Sequence, residues 1–506
     1  MALFKTKSAA VFGIDAQLIE VEVDLYQTGT PRDFVMVGMP DIAVRESRER
    51  IKSALFHSGF GYPTKAVTIN LAPANVRKEG AGFDLPMALG ILGAMGTVKG
   101  LDQHLLVGEL SLDGAIRPVR GALSVAVCAR DLGIPNLIVP AENTAEAAVV
   151  EGVDVYGMHH LAEVVALLER PLEFQPARRN GTPPAAESAL APDFRDVCGQ
   201  TMAKRALEVA AAGAHNVLMI GPPGSGKTML ARRLAGVLPP LTFEEAIETT
   251  KVHSIAGLLR GGAGLLHDRP FRAPHHTVSD AGLIGGGSGM PRPGEVSLAH
   301  HGVLFLDEFP EFPRNVLEML RQPLEDGSVT IARATMTVCF PSDFMLVAAM
   351  NPCACGFYGD ATRECRCTPA LIQRYLGKIS GPLLDRIDIH VEVPAVPYKE
   401  LRDNAGAASS AEIRERVERA RARQQARGFY NSRLPSRLVR KYCKLDDAGE
   451  RTLEMAMRRM GLSARAHDRI LKVARTVADL GESEAVSAKH IAEAVQYRSL
   501  DRNYWS

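Results

Sequence analysis

Short apolar runs alternate with segments of helical spacing along the first part of the chain. Residues 66–71 and 136–139 are predicted to be buried strands, and residues 142–150 and 161–168 are predicted to be helices. Strands that alternate with helices in this way are typical of an α/β domain.

The same pattern returns after residue 192. Strands are predicted at 216–220, 302–306 and 345–349, and a helix at 227–238. Apolar strands separated by crossover helices favour a parallel sheet. From about residue 410 the spacing becomes almost wholly helical.

A proline-rich segment without apolar periodicity lies between the two α/β regions. It contains Pro171, Pro176, Pro183, Pro184 and Pro192, and it is predicted to be an exposed linker. The predicted organisation is an α/β domain at 1–169, the linker at 170–192, a parallel-sheet domain at 193–400 and a helical domain at 401–506.

Composition adds limits to this picture. The 506 residues are 46% hydrophobic, which is enough for about three globular domains, and 59 basic side chains nearly cancel 58 acidic ones. A nucleic-acid surface must therefore come from local clustering of charge. The first residues do not resemble a signal peptide and no apolar run is long enough for a membrane span, so we expect a cytoplasmic protein with no membrane partner.

A glycine-rich segment joins the predicted strand 216–220 to the helix that follows. Its sequence fits the phosphate-loop pattern G-x-x-x-x-G-K-[ST] between the two elements that this motif requires, a context that an ordinary glycine-rich turn rarely has. Glycines allow backbone N–H groups to face phosphates, Lys227 supplies a positive charge, and Thr228 is predicted to bind Mg²⁺. The predicted ATP-binding residues are Gly221, Pro222, Pro223, Gly224, Ser225, Gly226, Lys227 and Thr228.

Two carboxylates, Asp307 and Glu308, directly follow the predicted strand 302–306. Ligands bind at the carboxyl edge of open parallel sheets, so Asp307 is predicted to hold Mg²⁺ through water and Glu308 to orient the attacking water. A solvated acidic strand end is the alternative. Asn351, after the next strand, suits the γ-phosphate or its water, although asparagine before proline is also a common turn residue.

Further along the chain, Arg386 lies in Gly381-Pro-Leu-Leu-Asp-Arg-Ile-Asp388. It is a candidate arginine finger for a neighbouring subunit's site. The alternative is a surface ion pair with Asp385 or Asp388.

These features, in this order, resemble AAA+ ATPases of the branch that includes magnesium chelatase and the MCM helicases. The chain is identified as a member of the ComM/YifB family by motifs that together span most of its length: Pro270-Phe-Arg-Ala-Pro-His-His-Thr277, Pro293-Gly-Glu-Val-Ser-Leu-Ala-His300, Asn351-Pro-Cys-Ala-Cys-Gly356 and Gly381 to Asp388. The resemblance implies ATP-driven branch migration by a homohexameric ring that acts on single-stranded and branched DNA during natural transformation. It also implies that Arg386 acts in trans and that Arg465 is the sensor arginine of a helical lid, against the alternative of a solvated helix charge.

Two insertions bear on the DNA substrate. Residues 328–340 alternate like a hairpin and are similar to the MCM pore hairpin, with Arg333 in place of the basic tip residue. The glycine-rich segment Leu283 to Gly289 is similar to a second pore loop. A basic pore gives salt-sensitive, sequence-independent DNA binding. The alternative for Arg333 is a charge that faces solvent.

The first domain is similar to the Lon-protease-like fold in residues 108–118 and 133–143. The catalytic pair is missing, because Gly82-Phe-Asp-Leu-Pro86 replaces the serine motif, no serine occurs from Val76 to Gly96, and Leu123 stands at the lysine position. Such a domain is expected to assemble the ring or guide DNA. Arg77 and Lys78 are candidate DNA contacts, or else a solvated charge pair.

Four cysteines form two C-x-C pairs within the insertion 353–367: Cys353, Cys355, Cys365 and Cys367. Four thiolates suit a structural Zn²⁺ site, and the alternative is four reduced thiols in a loop. The histidine pairs His275-His276 and His300-His301 are predicted to contact nucleotide or DNA in preference to a catalytic metal.

Three functions compete on this basis. The first is an ATP-driven DNA motor, the second a magnesium-chelatase-like ATPase that remodels a protein partner, and the third a non-enzymatic ATP switch. Glu308 argues against the switch, and the Lon-like domain favours the DNA motor.

Overall fold

The computed structural model describes residues 2–27, 34–178, 192–259, 264–287, 289–333, 336–360, 363–396, 408–460, 464–500 and 504. Within these ranges no helix is long and apolar enough to cross a membrane. Residues 179–191, which make up most of the predicted linker, lie outside the described ranges. The predicted boundary at residue 400, between the parallel-sheet domain and the helical domain, also lies outside them.

The N-terminal domain is built on a mixed seven-stranded sheet. Its strands are β1 (Ala2–Phe12), β2 (Asp15–Tyr26), β3 (Phe34–Val37), β4 (Ala66–Ala72), β5 (His104–Leu106), β8 (Asn136–Pro140) and β9 (Asp154–Met158), and a separate pair is formed by β6 (Glu109–Leu110) and β7 (Ile116–Arg117). The order is β3-β4-β2-β1-β5-β8-β9. Strand β2 pairs antiparallel with β1 and β4, and its alternate side chains, such as Val21 and Val23, are fully buried.

Helices cover this sheet: α1 (Ile42–His57), α2 (Asp84–Ala94), α3 (Ala122–Asp131), α4 (Thr144–Ala147) and α5 (Leu161–Glu169). Helix α4 is shorter than the predicted 142–150, because its chain begins as a 3₁₀ turn at Ala141–Asn143. Past the predicted domain end at 169, Ala177 N–H donates to the Val155 carbonyl at 2.8 Å and Phe174 packs on the core. The first domain therefore extends into the predicted linker.

The second domain contains a five-stranded sheet. Its strands are β10 (Val217–Ile220), β11 (Phe271–Arg272), β14 (Val303–Leu306), β17 (Met345–Met350) and β18 (Ile389–Glu392), while β12 (Gly285–Gly286) pairs with β13 (Arg292–Pro293) and β15 (Ser328–Arg333) pairs with β16 (Met336–Pro341). The order is β11-β14-β17-β10-β18, and every neighbouring pair is parallel. The carboxyl ends of β10, β14 and β17 therefore meet at one edge, where Gly221, Asp307 and Asn351 follow.

The helices of this domain and those of the C-terminal region pack against each other in part through one shared core. They are α6 (Thr201–Gly213), α7 (Lys227–Val237), α8 (Phe243–Ala256), α9 (Asp280–Leu283), α10 (Glu295–Leu298), α11 (Arg314–Met319), α12 (Arg321–Asp326), α13 (Pro369–Leu376), α14 (Gly381–Leu384), α15 (Ser410–Gln425), α16 (Ser436–Tyr442), α17 (Asp447–Met460), α18 (Ala464–Leu480) and α19 (Ala488–Gln496). Buried Leu207 of α6 belongs to the same cluster as Val417 of α15 and Ile470 of α18. The helical region is thus packed against the sheet domain.

Candidate nucleotide site and the parts around it

The phosphate loop begins where β10 ends. Gly221 N–H donates to the Met350 carbonyl at 3.2 Å, which fixes the start of the loop on β17. A Cβ at Gly221 would lie 2.0 Å from the Val393 carbonyl oxygen, so only glycine fits there. Gly224 and Gly226 have φ angles of +77° and +93°, a region that glycine adopts readily. These constraints explain why the loop requires glycine at these positions.

The Lys227 ammonium lies at the mouth of this loop. It donates to the carbonyl oxygens of Gly221 and Pro222 at 2.7 and 2.9 Å and to Asn351 Oδ1 at 3.3 Å. Burial lowers the pKa of Lys227, and nearby Asp307 opposes that shift. A buried ammonium that is surrounded by neutral oxygens is well suited to attract the negative oxygens of a polyphosphate.

The two predicted magnesium ligands are in direct contact. Thr228 Oγ donates to Asp307 Oδ2 at 2.6 Å, and the other Asp307 oxygen accepts the Glu308 backbone N–H at 2.9 Å. Hydroxyl and carboxylate oxygens are the ligands that Mg²⁺ prefers in nucleotide sites. Asp307 therefore lies between the phosphate loop and Glu308.

Glu308 has a left-handed backbone with φ of +52°, an uncommon conformation for a residue with a side chain. Its carboxylate lies 3.1 Å from His276 Nδ1, and the His276 ring packs against that of His275 at 4.1 Å between centroids. The sequence predicted contacts with nucleotide or DNA for these two histidines, but it did not predict that His276 lies against Glu308. Nothing in the local sequence pattern links two residues so far apart in the chain.

The loop fits a nucleotide on its own structural terms. A Cβ added at Gly224 or Gly226 would meet nothing within 4 Å, so space remains over the backbone of the loop. The Ser225 hydroxyl is buried and has no hydrogen-bond partner within the described residues. An open cradle beside an unsatisfied buried donor is the arrangement that a phosphate would complete.

Family comparisons match three successive parts of the chain. The family described as subunit ChlI of Mg-chelatase matches residues 21–143, the family described as magnesium chelatase, subunit ChlI, matches 193–401, and its C-terminal family matches 407–498. The central match covers the sheet domain that carries the nucleotide site. These matches agree with the predicted AAA+ branch.

Full-length relatives define the family more closely. Competence protein ComM of Haemophilus influenzae is 44% identical over 512 residues, which cover 99% of this chain and 98% of that protein. The protein belongs to the ComM/YifB family. The uncharacterized protein YifB of Salmonella typhimurium is 44% identical over 508 residues, with 99% and 98% coverage. Lon protease 2 of Bacillus subtilis is 30% identical over 163 residues, which are 30% of this chain and 28% of that protein.

In this ComM/YifB protein the positions of the expected Lon serine-lysine pair hold Gly82-Phe-Asp-Leu-Pro86 and Leu123. Asp84 lies within the first of these segments and is fully buried, where it forms an ion pair with Arg50 at 2.7 Å and accepts a hydrogen bond from Ser47. Leu123 is a fully buried core residue. The expectation that Lys78 contacts DNA is wrong, because Lys78 is fully buried and donates to the Pro73 carbonyl.

The predicted finger and sensor arginines lie together, away from the nucleotide loop. Arg386 forms an ion pair with Glu325, and its carbonyl accepts the Asn216 side-chain amide at 2.9 Å. Arg465 is 73% exposed and lies 3.5 Å from Asp385. Asn216 precedes β10 whereas the phosphate loop follows it, so Arg386 lies at the opposite edge of the sheet from its own chain's nucleotide site.

The four cysteines of the insertion converge. Their sulfur atoms all lie within 4.8 Å of one another, and Cys353 Sγ is 3.3 Å from Cys355 and 3.7 Å from Cys365. Backbone N–H groups of Phe357 and Arg366 lower the pKa of Cys355 to about 6. Sulfurs on a tetrahedral zinc would be about 3.8 Å apart, given Zn–S bonds of about 2.3 Å, so the cluster has nearly the right size.

The second histidine pair has a structural role. His300 is buried, its Nδ1 accepts the Asp343 backbone N–H at 3.0 Å, and its Nε2 lies 3.3 Å from Glu248. His301 Nε2 lies 3.0 Å from the same carboxylate. The structure contradicts the expected nucleotide or DNA contact for His300, which is buried with both ring nitrogens engaged, whereas the contact of His301 stays a prediction. A metal on His300 Nε2 would need a proton on Nδ1, which the Asp343 N–H opposes.

The predicted DNA-facing elements are adjacent. Arg333 ends β15 and is exposed, and its guanidinium donates to the Gly289 carbonyl at 3.5 Å. The hairpin residues 334–335 and residue 288 of the second loop lie outside the described residues. Hairpin and loop thus present Arg333 beside a glycine-rich backbone.

Proposed function

We propose that this protein is an ATP-driven, ring-shaped DNA motor that promotes branch migration of recombination intermediates in the cytoplasm. The position of Arg386 carries the proposal. The four residues of β10 separate it from the phosphate loop by about 13 Å, so its charge reaches a nucleotide only in a neighbouring copy. A ring of identical subunits, expected to be a hexamer, supplies that neighbour at every site.

Each side chain of the site has a defined task in this proposal. Lys227 and the loop amides bind the phosphates of ATP, and Thr228 and Asp307 would hold Mg²⁺, which neutralises charge on the phosphate oxygens. Glu308 orients water and accepts its proton, while His276 positions Glu308. Asn351, which contacts Lys227, is placed beside the outer phosphate. Arg386 and Arg465 form the face offered to the next subunit.

DNA is the proposed substrate because a basic hairpin accompanies the motor. Arg333 on the exposed hairpin suits sequence-independent contact with phosphodiesters of single-stranded and branched DNA. The name of the Haemophilus relative, a competence protein, supports a role in the integration of incoming DNA. The Lon-like domain, which lacks a nucleophile, is proposed to guide DNA and not to cleave peptides.

The Arg333→Ala variant is expected to bind single-stranded oligonucleotide about fivefold more weakly at 0.1 M salt, because one phosphate contact is lost. The slope of log affinity against log salt should fall by about 0.7. Fluorescence anisotropy at several salt concentrations measures both. Thr330→Ala, an exposed change on the same strand, is the control. An unchanged slope in the Arg333 variant would count against the pore assignment.

Zinc is proposed as a structural staple of the cysteine insertion. A Cβ at Gly356 would lie 2.6 Å from Pro223, so this insertion packs directly on the phosphate loop. Purified protein is expected to contain about one zinc per chain. The double variant Cys365→Ser, Cys367→Ser should lose this zinc and bind ATP more weakly. Elemental analysis measures the metal. Cys339→Ser, at an exposed cysteine outside the cluster, should keep it, and zinc-free wild-type protein would refute the proposal.

A second candidate function is remodelling of a protein partner, as a magnesium-chelatase-like ATPase. It is favoured by the family descriptions, all of which name subunit ChlI of magnesium chelatase. The two functions differ in what stimulates hydrolysis. DNA should accelerate the motor, whereas a remodelling ATPase should respond only to its protein partner.

A further inference from the structure

A cleft of about 800 Å³ lies between the N-terminal domain and the sheet domain. The first domain contributes residues 80–83 and 118–120 to its walls, and the second contributes Gly287 and residues 289–292. The same cleft includes Gly82 and Phe83, at the position of the missing Lon serine. The cleft therefore opens beside the segment that replaces the Lon serine motif.

Two arginines from different domains meet in this cleft. Arg120 comes from the first domain and Arg292 from β13 of the second, and both side chains are exposed. Within the described residues neither guanidinium forms an ion pair or a hydrogen bond. Partial burial of the Arg120 side chain lowers its pKa, and the neighbouring positive charge of Arg292 lowers that pKa further. Two uncompensated like charges that face one cavity favour an anionic ligand.

Three acidic side chains line the cleft within the described residues: Asp41, Glu79 and Glu109. Asp41 caps helix α1 by accepting the Val44 N–H at 2.8 Å. Glu79 pairs with Arg77 at 2.8 Å and also accepts the Met290 N–H at 2.9 Å. Asp41 and Glu79 are thus engaged, and Arg77 is paired with Glu79. Arg120 and Arg292 outnumber the remaining carboxylate, Glu109, so the charge that the cleft offers a ligand is net positive.

The cleft is continuous with the DNA-facing elements. The Glu79 carboxylate accepts a hydrogen bond from the Met290 N–H. The preceding residue, Gly289, accepts a hydrogen bond from the Arg333 guanidinium through its carbonyl. The N-terminal domain also contacts the hairpin, because a Cβ at Gly13 would lie 3.0 Å from the Cys339 carbonyl oxygen. The second loop thus connects the Arg333 hairpin on one side with the arginine-lined cleft on the other.

We propose that this interdomain cleft binds one strand of DNA, with Arg120 and Arg292 contacting its phosphodiester groups. This inference rests on the proposed DNA-motor function and adds a second contact to that of Arg333. A cavity of this volume is the size of a site for a small molecule, so it accepts a few nucleotides of a single strand and excludes a duplex. Contacts through phosphates make the binding independent of sequence and sensitive to salt.

The test measures binding of a fluorescent oligothymidine to the full chain across a salt series. The double variant Arg120→Ala, Arg292→Ala should bind the oligothymidine about 10- to 30-fold more weakly at 0.1 M salt. The slope of its log affinity against log salt should be smaller by about 1.4. The double Arg→Lys variant should keep most of the slope, because it keeps both charges. Arg117→Ala, an exposed change outside the cleft, should behave as wild type, and thermal melting checks the fold of every variant.

Each outcome decides a different claim. An unchanged affinity in the double alanine variant, with a loss in Arg333→Ala, would overturn the cleft proposal and leave the motor intact. Wild-type protein that binds no DNA would overturn both. Competition by inorganic phosphate or ATP at this site, with unchanged DNA affinity in the double alanine variant, would assign the arginines to a free phosphate ligand instead.

Discussion

The Glu308→Gln variant is expected to bind ATP with nearly wild-type affinity and to hydrolyse it at least about 100-fold more slowly. Glutamine keeps the size of the side chain but cannot accept a proton from the attacking water. The phosphate-binding groups are untouched, because Lys227 and the Thr228–Asp307 contact do not involve the Glu308 side chain. Equilibrium binding of a fluorescent ATP analogue and phosphate release in a single turnover measure the two effects separately.

The matched control for this prediction is Glu311→Gln. Glu311 is a nearby exposed carboxylate that pairs with Lys378 at 3.0 Å on the surface, so its variant should hydrolyse ATP at the wild-type rate. Lys227→Ala should instead lose ATP binding. Normal hydrolysis by the Glu308 variant would contradict the assignment of the catalytic carboxylate.

The Arg386→Ala variant is expected to lose about 1,000-fold in ATP turnover, the usual effect of removing an arginine finger. Mixing it in equal amounts with Lys227→Ala should restore about a quarter of the wild-type rate, because one interface in four then joins an intact loop to an intact finger in a cyclic ring. Neither variant should be active alone. Steady-state ATPase assays on co-refolded or co-expressed mixtures measure the recovery.

Arg458→Ala is the control for this experiment, since Arg458 is an exposed arginine whose partner is Glu454 on the same helix. A mixture no more active than its parts would show that sites are not shared between subunits. Substantial activity of Arg386→Ala on its own would remove the reason for proposing a ring.

The arrangement of the candidate nucleotide site was predictable from sequence because its signals are local. The phosphate loop needs glycines at fixed spacings, and Asp307, Glu308 and Asn351 each follow a fully apolar strand. Parallel pairing then brings those strand ends together without further information. The ComM/YifB resemblance came instead from four longer motifs, among them residues 270–277 and 293–300.

Other features depend on contacts between distant segments, which no local pattern contains. Arg77 and Lys78 are neighbouring basic residues in the sequence, but only Lys78 is buried, where it donates to the Pro73 carbonyl. His276 and His300 occur in similar double-histidine motifs, yet one meets Glu308 and the other meets Glu248. Arg120 and Arg292 likewise line one cleft only because the two domains that carry them pack together.

The most direct test of the DNA-motor account is the steady-state ATPase rate of the purified protein without DNA, with single-stranded DNA and with a branched junction. Lys227→Ala serves as the blank. The account predicts that DNA stimulates hydrolysis several-fold, with the branched junction at least as effective as the single strand. An ATPase rate that is the same with and without every DNA would contradict it and favour remodelling of a protein partner.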